Sequence, residues 1–123
     1  MQAPSMPVED LCGGFKHGGW AKDCWENVMH QVTRTAIAQP YDLLLGRRTY
    51  ELFANSFANA NSADPIVTKL NNARKYVVSN TLTELSWHNS VQLTGDVVTS
   101  ASQLKKGEGP LLQVHSSSQL VQT

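Results

Sequence analysis

The run Gly46-Arg47-Arg48-Thr49 concentrates the groups that hold phosphate: a glycine at a turn, two guanidinium forks and a hydroxyl. It follows the apolar run Tyr41 to Leu45 and precedes Tyr50, Phe53 and Phe57 at helical spacing, so it reads as a strand turning into a helix. The first turn of a helix presents unbonded N–H groups and a partial positive charge, which suits an anion. Two cations there oppose the dipole unless an anion sits between them. The bland alternative is that Gly46 only makes the turn and the arginines face solvent.

Two further strand ends carry polar groups. Ser79-Asn80-Thr81 offers short side chains that could bond a ribose or phosphate or close a turn, and by itself it reads as a turn. His115-Ser116-Ser117-Ser118-Gln119 offers hydroxyls and amides at a predicted helix start, where capping and phosphate contact are equally good readings. It makes a poor serine nucleophile, because the glycines of a strained elbow are missing. His17, His30, His88 and His115 lie far apart, so no metal site is expected, and Cys12 and Cys24 read as free thiols. Glu9 and Asp10 have no partner carboxylate, and no acid or base stands out for catalysis. The loop Phe15 to Trp20 could cover a ligand or simply lead into a helix, and Trp25 reads as core.

These groups must be positioned by alternating elements. Proline and glycine make the first twenty residues a loop, and Ala21 to about Ala38 has Ala21, Trp25, Val28, Met29, Val32 and Ala36 at helical spacing, predicting an amphipathic helix against a core. Pro40 ends it. Asp64-Pro65 starts another helix, Tyr76 to Ser79 is a strand, and Val91 to Leu93 is a third. Asp96 reads as the N-cap of a helix through Leu104 that Gly107 closes, and Leu111 to His115 is the next strand. Strands alternating with helices predict an α/β fold with a mostly parallel sheet, in which ligands lie beyond the carboxyl ends of the strands.

The chain of 123 residues, with 10 basic and 10 acidic side chains, is of a size for one domain with one core. Balanced charge calls for neither nucleic acid nor an anionic membrane as partner. No stretch approaches the roughly 18 apolar residues of a membrane span, and a cytoplasmic protein is expected.

The order Leu44-Leu45-Gly46-Arg47-Arg48-Thr49-Tyr50, Lys75-Tyr76-Val77-Val78-Ser79 and Leu112-Gln113-Val114-His115 resembles the dihydrofolate-reductase-like superfamily. The nearest branch is similar to the reductase domain of the bifunctional riboflavin-biosynthesis deaminase-reductase. Met1 to Pro4 and the stretch Gly13 to Trp20 resemble that branch too, so the likeness covers essentially residues 1–123. It implies a three-layer αβα domain and hydride transfer from NADPH to a pyrimidine or pterin-like substrate, as in 5-amino-6-(5-phosphoribosylamino)uracil reductase. It also implies that Gly46, Arg47, Arg48 and Thr49 bind cofactor phosphates, that Ser79 and Asn80 lie near the adenosine ribose, and that Ser116, Ser117, Ser118 and Gln119 lie at the pyrophosphate. A homodimer is expected by the same likeness.

Three departures qualify what it implies. Many relatives have arginine where Asn80 stands, so NADH becomes an alternative to NADPH. Ser116 replaces a usual glycine. The family also has a strand before the position of Met1, lying between the strands matching Leu111–His115 and Tyr41–Leu45, and several strands beyond Thr123. A partial domain is therefore expected, and those two edges need another partner or must rearrange. The expected function is an NAD(P)H-dependent reductase; the alternative is a nucleotide-binding or interaction fragment without turnover.

Overall fold

The computed structural model describes residues 3–60 and 63–123. The chain divides into two units, residues 1–38 and 39–123.

The first unit is mostly irregular. Short 3₁₀ turns at Cys12–Gly14 and Lys22–Cys24 precede helix α1, Asn27–Ala38. The Gly19 and Ala21 amides donate to Ala3 O and Pro4 O at 2.8 and 3.0 Å, which ties the loop together. Gly18 is required by close approach, since a Cβ there would lie 2.3 Å from Pro7 O. The helical periodicity from Ala21 thus becomes a helix only from Asn27. Nothing in its own unit covers its stripe, as Trp25, Val28, Met29 and Val32 are all exposed. Trp25 instead donates its indole N–H to His30 Nδ1 at 3.2 Å, ahead of the first turn of α1. Periodicity reports which face of a helix is apolar and says nothing about what covers it.

The second unit runs β1 (Tyr41–Gly46), α2 (Arg47–Phe57), α3 (Pro65–Asn72), β2 (Lys75–Val78), β3 (Ser90–Leu93), α4 (Val97–Lys106), β4 (Leu111–Val114) and α5 (Ser118–Gln122). It is an α/β fold whose four strands, in the order β3-β2-β1-β4, are all parallel. Local chemistry sets the helix starts. Asp64 accepts from Ile66 N at 2.8 Å with Pro65 behind it, and Asp96 accepts from Thr99 N at 3.0 Å. Gly95, at φ 85°, makes the turn before Asp96 in a conformation that suits glycine.

Alternation along the strands divides the sheet into two faces. Tyr41, Leu43, Leu45, Lys75 and Val77 share one, and all five are buried. Full burial of Leu43, Leu45 and Val77 contributes about 2 kcal/mol each. Tyr50 of α2 reaches under this face, where its hydroxyl accepts from Trp87 N at 2.8 Å. The indole N–H of Trp87 donates to Asn71 Oδ1 at 2.7 Å, and the Asn71 amide donates to Phe57 O at 3.2 Å. Lys75 completes this buried network. Its ammonium donates to Asn71 O, Ala73 O and His88 O at 2.8, 2.7 and 2.9 Å and lies 4.4 Å from the centre of the Trp87 ring. Burial pushes its pKa down to about 8. On the opposite face, Asp42, Tyr76, Leu93 and Leu112 line a groove of about 330 Å³ together with Ser100, Leu104 and other residues at the end of α4.

The strand that the family likeness puts between β1 and β4 has no counterpart in this sheet. The two strands pair directly, with Tyr41 opposite Leu111 and Leu44 opposite Val114. Their inner edges are thereby satisfied by one another.

Candidate functional site

The direction of the chain across the sheet reverses at β1. From β1 it moves through β2 to β3, and β4 then returns to the other side of β1. The carboxyl ends of β1 and β4 flank this switch point, where parallel sheets form a ligand crevice. Gly46 to Thr49 follow β1, and His115 to Gln119 follow β4.

One side chain joins them. Ser117 Oγ accepts from Gly46 N at 2.9 Å and donates to Thr49 Oγ1 at 3.1 Å, although the first pair is 71 positions apart in sequence. Thr49 is buried and Ser117 half-buried. Ser116 and Ser117 both adopt left-handed backbone, at φ 53° and 44°. Such a conformation costs roughly 1–2 kcal/mol for a residue with a Cβ. That is the backbone a glycine at position 116 would take freely. Gly46 itself has φ −74° and ψ 160°, so the turn into α2 does not use glycine's freedom. A Cβ there would meet Ser117 Oγ at 3.4 Å, an ordinary contact, so the space at position 46 does not demand glycine either.

Helix α2 starts without a side-chain cap and without an acid in its first turn. Arg47 and Arg48 occupy its first two positions and are exposed. Arg47 is paired with Glu51 one turn along, at 3.1 Å, with both side chains about two-fifths exposed. An exposed i, i+4 pair of this kind contributes only about 0.3–0.5 kcal/mol, so an incoming anion can displace the carboxylate. The arrangement suits a phosphate above the first turn of α2, with Arg47 as a movable cation.

The other sequence candidates separate into distinct roles. Ser79 is buried, and its hydroxyl accepts from Thr81 N and Leu82 N at 3.2 and 3.0 Å, closing the turn after β2. Asn80 is exposed at the tip of that turn. Ser118 and Gln119 are exposed at the start of α5. His115 is half-buried, with its ring 6.5 Å from Phe53 and its Nε2 3.0 Å from Gln113 Oε1, and burial lowers its pKa. Among the described residues, no group of three His, Cys, Asp or Glu side chains has metal-site geometry. No described helix is long and apolar enough to cross a membrane.

Sequence reasoning missed the link through Ser117, which read only as a cap. It also missed the polar network of Lys75 and Trp87, both fully buried. Their only local signal was a lysine at the start of a strand and a tryptophan inside the polar run Ser86 to Ser90. Compared with family models and with curated proteins, the chain matches none.

Proposed function

We propose that residues 39–123 bind a nicotinamide dinucleotide along the carboxyl edge of the sheet, as the cofactor-holding part of an NAD(P)H-dependent reductase of the dihydrofolate-reductase-like type. The observation that carries this reading is the Ser117 bridge to Gly46 and Thr49, which gathers the phosphate-type residues of two distant segments at the switch point. The residues fit the group. The uncapped start of α2 supplies amides and a favourable dipole, and Arg47 and Arg48 supply charge for a pyrophosphate. When bound, the dinucleotide supplies the hydride, for which a pyrimidine or pterin-like acceptor is the proposed substrate class. The chain's own part is to hold the phosphates and orient the nicotinamide.

Binding without turnover is the second reading, favoured by the commitments of His115. It is the titratable side chain at the end of β4, and its ring is engaged with Phe53 and Gln113. Two measurements separate the readings. A dinucleotide at a hundred times its Kd should stabilise the fold by about 2.7 kcal/mol, and the joint substitution Arg47→Ala with Arg48→Ala should remove most of that stabilisation. Substrate-dependent oxidation of the dinucleotide should then accompany binding if the chain is a reductase. Stabilisation without oxidation selects the second reading, and no stabilisation by either dinucleotide refutes both.

A further inference from the structure

Resting on the dinucleotide reading above, we infer that the site selects a dinucleotide without a 2′-phosphate, NADH rather than NADPH. The cations of residues 39–123 are divided unequally between the two edges of the sheet. In an all-parallel sheet each strand starts at one edge and the helices return the chain to that edge. Lys69, Arg74 and Lys75 belong to the end of α3 and the start of β2, and Lys105 and Lys106 to the end of α4. All five therefore belong to the amino edge, where the lysines of α3 and α4 complement the helix dipoles.

The carboxyl edge is built from residues 46–49, 79–81, 94–96 and 115–118, and its only lysines or arginines are Arg47 and Arg48. The sequence has none between Lys75 and Lys105 and none after Lys106. Asp96 adds a carboxylate at the end of β3, held ionised by the Thr99 hydroxyl and amide. His115 adds no charge at neutral pH, because burial lowers its pKa.

A pyrophosphate at the start of α2 engages both arginines. The two nucleoside halves then extend along the edge, one toward β2 and β3 and the other toward β4 and α5. Whichever half carries it, a 2′-phosphate brings roughly two more negative charges into a region where residues 39–123 offer no further cation. On the β2 side it also approaches Asp96. A ribose diol has no such requirement, and the short polar groups of Asn80, Thr81 and Ser118 can bond it.

Titration of the whole chain with NADH and with NADPH at low ionic strength, followed by calorimetry, tests this. NADH should bind at least about tenfold more tightly, and the gap should narrow as salt screens the repulsion. Asn80→Arg and Gln119→Arg, both at exposed positions, place a cation on either side of the arginines. One of them should raise NADPH affinity about tenfold or more. Equal or tighter binding of NADPH by the unaltered chain, or no gain in either variant, overturns the inference while leaving the dinucleotide site standing. Absence of binding by both dinucleotides overturns the site and the inference together.

Discussion

Lys75 should make the protein more stable as the solution becomes alkaline, the reverse of what ordinary surface lysines do. Its side chain is fully buried, and burial lowers its pKa from 10.5 to about 8. A depressed value means that between the two pKa values the unfolded chain binds more protons than the folded one, so stability rises with pH across that interval. The full difference corresponds to about 3 kcal/mol at 1.36 kcal/mol per pH unit. Integrated from pH 7 to pH 9.5, it predicts a gain of about 2 kcal/mol. That is an upper value, because the three carbonyl acceptors and the Trp87 ring favour the charged form. Two other titratable groups border this network: Tyr50 through its bond to Trp87, and His88 through its backbone carbonyl. Tyr41 sets the upper limit of the useful range. Its buried hydroxyl has no hydrogen-bond partner and its pKa is raised above 10, so its ionisation destabilises the fold from about pH 10 upward. Urea unfolding at half-unit steps from pH 7 to 9.5 measures the slope, with Lys75→Met as the control that should flatten it. A flat or falling profile in the unaltered chain, or the same rise in the variant, refutes the reasoning. Should the variant not fold, the NMR shift of the Lys75 Cε against pH reads the same titration directly.

The junction of β4 with α2 gives two opposing expectations. Ser117→Ala removes both bonds that Ser117 makes to Gly46 and Thr49 and should lower stability by about 1–2 kcal/mol in urea unfolding. Ser116→Gly relieves a left-handed backbone at an exposed position and, after the entropy lost by the freer unfolded chain, should raise stability by about 0.5 kcal/mol. A loss in the second case would mean that the Ser116 side chain makes a contribution larger than its strain. His115 governs the acid side. Its lowered pKa means that stability is fully present above about pH 6.5 and declines as pH falls toward the folded value, and His115→Gln should remove that decline from the melting profile.

Much of the second unit was legible because its signals are local. Asp64-Pro65 and Gly95-Asp96 carry their own capping and turn chemistry, and the apolar run of β1 is bounded by Pro40 and Gly46. Their alternation is enough to predict strands joined by helical crossovers and to direct attention to the strand ends. The phosphate-type residues of Gly46 to Thr49 and His115 to Gln119 were legible too, since a residue's position relative to the end of a strand follows from the order of elements alone. The pairing of Arg47 with Glu51 was also within reach, as a contact between neighbouring helical turns.

Strand order was not. Nothing local in Tyr41 to Gly46 says that β4 will lie beside it, and the union of the two candidate segments depends on a hydroxyl reaching across 71 positions. Lys75 shows the same limit. Alternation assigns it to the inward face, but a lysine becomes tolerable there only because the end of α3 and the His88 carbonyl converge on its ammonium and Trp87 covers it. In residues 39–123 the sequence by itself determined the elements and the residues near their ends, because these follow from preferences acting over a few residues, and their alternation implied the parallel direction. Tertiary structure alone decided which ends meet and which charge is buried, because those outcomes depend on groups distant in the chain competing for the same space and the same hydrogen bonds.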